Sequence, residues 1–237
     1  MIQALITNVG KYAENKLSGE ELTFPTTKEQ VQRLLARIGV DGVRYEEIFI
    51  VDYASEIPGL SGCFGEHEDI DELNYLASLL AEMSERELEQ FAAAVEYGDY
   101  TNGAQDLINL AQNLEHYDYF PGIHSHEDLG YYMIDELGTL DLPESIEPYF
   151  DHESYGRDEA LNRGGRFTDG GFIAKNRSGF MEHYSGRADL PDEYKVFAYP
   201  EPEKSIKKTI AAYNQMIQEA PIIAHNRPQA EHEDRGG

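Results

Sequence analysis

Apolar residues recur at helical spacing through the middle of the chain. In DIDELNYLASLLAEM, Ile70, Leu73, Leu76, Ala77 and Leu80 share one broad face, with Asp71 and Glu82 opposite. SERELEQFAAAVEYG sets Leu88, Phe91, Ala92 and Val95 against Glu85, Glu89 and Glu96. Those three acids fall within about 40° of each other at about 3.6 residues per turn. Gly98 stops this helix, and Ala104 to Leu114 reads as a third. Three helices of this size predict a small bundle over residues 67–114.

The flanking pattern mixes periods. IQALITNV and LSGEELTF read as strands, with the turn between them near Glu14–Lys16. Thr26 and Thr27 cap the next helix, Thr26 with Glu29 fits a capping box, and Gly39 ends the helix. Its apolar face is Val31, Leu34, Leu35 and Ile38, and Tyr45 to Ala54 is the following strand. Residues 1–66 therefore predict an α+β unit, closed by the loop PGLSGCFGEHE. Residues 115–186 predict another: a strand at HYDYF, then the helix HEDLGYYMIDELG with Leu129, Tyr132, Met133 and Leu137 inward. PESIEPYFDHESYGRD reads as a shorter helix broken at Pro148, and GGFIAKNRSGFMEHY as a hairpin turning at Asn176–Gly179. Residues 187–237 form a C-terminal extension, with an amphipathic helix over 203–220 and a disordered tail. The expected fold is α+β: an elongated series of three small domains (α+β, helical bundle, α+β) plus that helical extension.

Composition sharpens this. At 41% hydrophobic residues the chain can bury a core, so it is not a disordered acidic tail. No apolar run reaches the roughly 18 residues of a membrane span. Cys63 stands alone, which excludes a disulfide within the chain. MIQALITNVGKY is too short and polar for a signal peptide, and the expected location is cytoplasmic.

Charge changes the picture most. The formal charge is −26, and all of the excess lies in one block. Tyr45 to Gly156 holds 27 acids against one base, Arg86, while the flanks hold 18 acids and 18 bases. Helices built for stability alone alternate acids and bases at four-residue spacing. A single-sign surface repels nucleic acid and anionic membrane and attracts basic proteins, polyamines or metal ions.

Candidate chemistry is thin. Asp69 and Asp71 have calcium-loop spacing, but Leu73 and Asn74 occupy the next ligand and turn positions. His124, His126, Glu127 and Asp128 hold metal-ligand types, yet at a helix start such acids also serve the dipole. PDEYK, Pro191 to Lys195, has the letters of a nuclease motif with its halves abutting. RGGRF, Arg163 to Phe167, neither follows a strand nor opens a helix. Acid pairs are too abundant to mark a hydrolase. No catalytic residue, metal ligand or cofactor is expected.

The block matches DNA in charge. B-form DNA carries one charge per about 1.7 Å, so 26 net charges at that density would cover about 44 Å, or about 13 base pairs. Glu85 to Glu89 spans about 6 Å of helix rise and Glu89 to Glu96 about 10 Å.

Several stretches resemble the ArdA antirestriction proteins. They are ITNVGKYAENKLSGEELTFPTT, YEEIFIVDY, DELNYLASLLAEM, PYFDHESYGRD and GGFIAKNRSGFMEHY, in this order between Ile2 and Tyr184. NxGKY followed downstream by YGRD is the specific combination. The resemblance implies a DNA-mimicking inhibitor carried by plasmids and conjugative transposons. It would occupy the DNA-binding groove of type I restriction–modification enzymes, without binding nucleic acid itself. It further implies an elongated homodimer joined through the third domain, with no catalytic residues. Its binding surface would be distributed acid. The matching positions are Glu85, Glu89, Glu96, Asp99, Asp106, Glu115, Asp118, Asp128, Asp135, Glu136, Asp141, Glu144, Glu147, Asp151 and Glu153. YGRD reads as structural, with Arg157 pairing a carboxylate. The extension after Tyr184, with Lys204, Lys207 and Lys208, departs from the family pattern.

Two rival readings stay open at this level. One is an acidic sequestering protein or chaperone for basic nucleic-acid-binding partners generally. The other is an enzyme or metal-dependent domain whose acids merely solvate it.

Overall fold

The computed structural model describes residues 1–16 and 18–201. Alternation in IQALITN makes β1 (Ile2–Asn8) the centre of an antiparallel sheet, between β2 (Gly19–Phe24) and β3 (Ile48–Ser55). Ala4 pairs with Leu22 on one side and Tyr53 on the other. Between β1 and β2 the chain forms a short helix, α1 (Val9–Ala13), because the Asn8 side chain accepts from the Lys11 amide and starts a turn. The capping box of α2 (Lys28–Ile38) is Thr27 with Gln30, one residue later than the expected Thr26 with Glu29. The Thr26 amide is bound instead to Asn74 Oδ1 at 2.7 Å.

The three central helices form as expected: α3 (Ile70–Glu82), α4 (Glu85–Tyr97) and α5 (Ala104–Ala111). The last ends three residues early, in a 3-10 turn over Leu114–His116. Leu73 and Leu76 of α3, Phe91 of α4 and Leu107 of α5 join Ile2, Ile6, Leu34 and Leu35 in one buried cluster. It therefore continues across the junction at residues 66 and 67. Each fully buried side chain of this kind contributes roughly 1.5–3 kcal/mol.

A second antiparallel sheet has the order β4 (Tyr117–Pro121), β6 (Gly171–Lys175), β5 (Arg166–Thr168). A smaller cluster, including Phe120, Leu129, Met133 and Phe172, lies beneath it. Here the helix reading needs two corrections. The expected helix from His126 splits into α6 (His126–Tyr131) and a π turn over Tyr132–Glu136. The Leu137 amide bonds to the Tyr132 carbonyl five residues back, which widens the turn. Leu129 and Met133 are buried as expected, but Leu137 is exposed and Ile134 is buried. The break near Pro148 is a 3-10 turn, and the helix proper is α7 (His152–Arg163). YGRD is structural, but through Gly156 rather than an Arg157 ion pair. A Cβ on Gly156 would overlap the His126 carbonyl, and one on Gly130 the His152 carbonyl, so α6 and α7 cross at backbone contact. Arg157 donates to Ser154 Oγ at 2.9 Å.

The expected hairpin after β6 is absent, because β6 pairs with β5 and β4. The Met181, His183 and Tyr184 amides bond to asparagine side chains instead. Asn113 Oδ1 accepts from the Met181 amide at 2.9 Å, and Asn109 Oδ1 from the His183 and Tyr184 amides at 2.8 and 2.9 Å. The following segment, as far as Tyr199, is a strap with only two 3-10 turns. Asp71, expected on the solvent side of α3, is fully buried beneath it. Its carboxylate accepts from the Val196 and Phe197 amides at 2.7 and 2.6 Å and from Arg187 Nη2 at 2.6 Å. Gln32 Nε2 holds the Tyr199 carbonyl at 2.9 Å, and the Tyr199 hydroxyl reaches the Glu46 carbonyl at 3.1 Å. PDEYK lies in this strap, and its Lys195 pairs with Asp192 at 2.6 Å. The helix expected over 203–220 and the tail beyond it lie outside the described residues.

Two stability outcomes follow from the strap. Asp71→Ala leaves two amides and Arg187 without their acceptor and is expected to cost about 3 kcal/mol, or roughly 6–12 °C in Tm. Thermal unfolding followed by circular dichroism checks this, and Asp71→Asn, which keeps an acceptor oxygen, should fall between. Glu72 accepts from the Tyr184 hydroxyl at 2.8 Å, but burial pushes its carboxyl above the usual range. A raised carboxylate pKa means that the folded state holds the proton more tightly, so ionised Glu72 is a stability cost at neutral pH. Glu72→Gln keeps the acceptor and should therefore raise Tm at pH near neutrality. The gain should shrink as pH falls through the raised value and vanish below the unfolded value of 4.5.

A candidate acidic interface

The acidic surface starts from a local rule. Ser84 caps α4, its amide is held by Glu87 Oε2 at 2.8 Å, and acids are favourable in the first turn of a helix. The hydrogen bonds from Ser84 hold the Glu87 carboxyl below its ordinary range. Glu85 and Glu89 project from the same end of the helix into solvent. The far end differs. Glu96 is half-buried and accepts from the Asp169 amide at 3.0 Å, which fixes the turn between β5 and β6.

The other expected acids divide in the same way. Asp99 pairs with Lys175, whose Nζ also lies 5.7 and 5.6 Å from the ring centres of Tyr97 and Tyr100. Asp118 faces Arg163 at 3.8 Å and accepts from Asn176 Nδ2 at 3.1 Å. Asp106 holds the Asn102 amide at 3.1 Å ahead of α5. Asp128 and Asp151 belong to helix starts: Ser125 Oγ donates to Asp128 Oδ2 at 2.7 Å, and the Ser154 amide donates to Asp151 Oδ1 at 2.9 Å. The bonds from Ser154 keep the Asp151 carboxyl low. Glu115, Asp135, Glu136, Asp141, Glu144, Glu147 and Glu153 are exposed and make no ion pair among the described residues. Six of these seven lie on the stretch from the π turn to the first turn of α7.

Among the described residues, the acids of the block that meet a cation are Glu56, Asp69, Asp71, Asp99 and Asp118. Counting the sequence missed this partial neutralisation. Lys175, Arg163 and Arg187 lie outside the block in sequence, and only folding returns them to it. The exposed acids Glu46, Glu47, Asp52, Glu66, Glu82 and Glu87 belong to the same block but not to the expected set. Their signal was the charge count itself.

The metal-ligand candidates are otherwise engaged. Asp69 and Asp71 share Arg187, and the His126 ring packs edge-on against Phe167 at 5.0 Å. Among the described residues no three His, Cys, Asp or Glu side chains converge on one point. No helix there is long and apolar enough to cross a membrane. The third region also exposes apolar side chains, namely Leu137, Leu140, Ile146, Tyr149 and Leu161, with Tyr149 at 86% and Leu161 at 73%.

No curated protein matches the chain. A family model described as antirestriction protein (ArdA) matches residues 4–174, so its match ends at the close of β6 and leaves the strap outside. Most of the sequence, including both sheets, all of the central helices and the acidic block, falls inside that match, and the chain belongs to the ArdA family of antirestriction proteins.

Proposed function

We propose that this chain inhibits type I restriction–modification enzymes as a DNA mimic, occupying their DNA-binding groove and protecting the DNA of an incoming mobile element. The observation that carries this reading is the acidic block from Tyr45 to Gly156, where Arg86 is the single base and most carboxylates are exposed. The target's Lys and Arg side chains would exchange DNA phosphates for these carboxylates, releasing counterions as they do from DNA. Inhibition is by occupancy; no step of chemistry is assigned to the chain. Glu85, Glu89, Glu115 and the exposed acids from Asp135 to Glu153 are the contact residues. Asp99 and Asp118 contribute less, because Lys175 and Arg163 already face them. The exposed apolar side chains on the stretch from Leu137 to Leu161 support a homodimer joined through this region, since exposed apolar groups favour burial against a second copy.

Competition tests the reading. A type I enzyme bound to labelled duplex DNA should release it when this protein is added in stoichiometric amount. Displacement should weaken at least tenfold between roughly 50 and 200 mM salt. A neutral amino acid at any one exposed position should cost about 1 kcal/mol or less, so Glu85→Gln with Glu87→Gln and Glu89→Gln is the informative variant. It should weaken displacement several-fold and lower Tm slightly, because the first-turn carboxylates that it neutralises favour the helix start. Failure to displace DNA at large excess would sink the mimic for that enzyme. For the dimer, sedimentation should give twice the chain mass, and Tyr149→Asp with Leu161→Asp should halve it.

A further inference from the structure

Two helices of the acidic region enclose something that DNA does not have. Between α3, α4 and the end of the first sheet lies an open apolar groove of about 450 Å³. Leu80 and Ala81 of α3, Leu88 and Ala92 of α4, and Ile57 and Pro58 after β3 line it. Among the described residues, the polar side chains that line it are Glu56, Glu85 and Glu89. The Met1 amine sits 3.2 Å from Glu56, while Glu85 and Glu89 have no ion pair among the described residues.

We infer that this groove is an anchor site for a basic amphipathic segment of a partner protein: an apolar side chain enters between α3 and α4, and Lys or Arg neighbours reach Glu85 and Glu89. Charge complementarity selects this occupant. The lining offers a partner apolar contact and carboxylates, and the Met1 amine there is already paired with Glu56, which suits a cationic apolar partner better than a small polar ligand. Glu85 and Glu89 stand one helical turn apart, about 6 Å in rise, which matches basic residues spaced one turn apart on a partner helix. Phosphates attract the same cations, but a phosphate ladder has no counterpart to the groove. The inference therefore rests on the mimic reading and adds an apolar contact that charge imitation does not supply. Burial of one large apolar side chain corresponds to roughly a tenfold or larger change in Kd.

The test separates the two ideas. The probe is a labelled helical peptide of Leu and Lys, with the Leu residues on one face, and its control replaces Leu by Gln at equal charge. The parent protein should bind the Leu–Lys peptide about tenfold more tightly than the control. Ala81→Trp, which fills the groove from an exposed position, should abolish that ratio and leave binding of the control unchanged. Ala92→Met is the second filling variant should the first fail to fold. Glu85→Gln with Glu89→Gln should weaken both peptides. Equal binding of the two peptides by the parent, or a ratio that survives filling of the groove, overturns the inference. With a type I enzyme, Ala81→Trp should weaken displacement by the same factor at every salt concentration, whereas acid-to-amide variants should flatten the salt slope. A parent protein that displaces no DNA would end the mimic reading while the peptide ratio still decides the groove.

Discussion

With 45 acids and 19 bases, this chain lacks enough cations to neutralise every carboxylate that its fold brings near other groups. Backbone amides and hydroxyls take that place. Asp71 receives the Val196 and Phe197 amides, Asp41 the amides of Val43, Arg44 and Tyr45, and Glu68 those of Gly65 and Ala104. Charged acceptors make short, strong bonds to N–H donors, so an acid satisfied in this way organises a turn or a helix start without needing a base. The architecture thus separates two populations of acid. One shapes loops and caps, and the other stands in solvent with its charge uncompensated.

That separation explains how a single-sign surface coexists with a well-packed core. The apolar faces of α3, α4 and α5 meet the first sheet in one continuous cluster, while the acids of α4 stand on its opposite side. Self-repulsion among exposed carboxylates is modest in water, a few tenths of a kcal/mol per neighbouring pair, and is small against the burial of Phe91 or Leu76. The strap adds to this balance from outside the family match. It brings Arg187 onto Asp69 and Asp71, and closes α3 with backbone donors.

The places where sequence reading went astray share a cause. Asp71 was placed outside because a polar residue on a helix normally faces water, and nothing local reveals donors arriving more than a hundred residues later. The segment after β6 has strand-like letters, yet Asn109 and Asn113 capture its amides, and an asparagine in or just past a helix gives no hint of that role. Leu137, expected inward, faces solvent because the π turn before it shifts the helical phase. By contrast, the helix stops at Gly39 and Gly98 were legible, since a cap depends on residues within one turn of itself.

By itself the sequence determined the alternation of helical and strand segments, the apolar faces of α2, α3 and α4, the location of the charge block and the family resemblance. These follow from short-range periodicity and from counting, neither of which needs a fold. Tertiary structure alone decided which carboxylates are free. Lys175, Arg163 and Arg187 are remote in sequence from the acids of the block that they meet, so that pairing is a property of the packed chain. It likewise decided that α3 and α4 enclose an apolar groove beside Glu85 and Glu89. A cavity is the space left between elements, and its walls are fixed only when those elements meet.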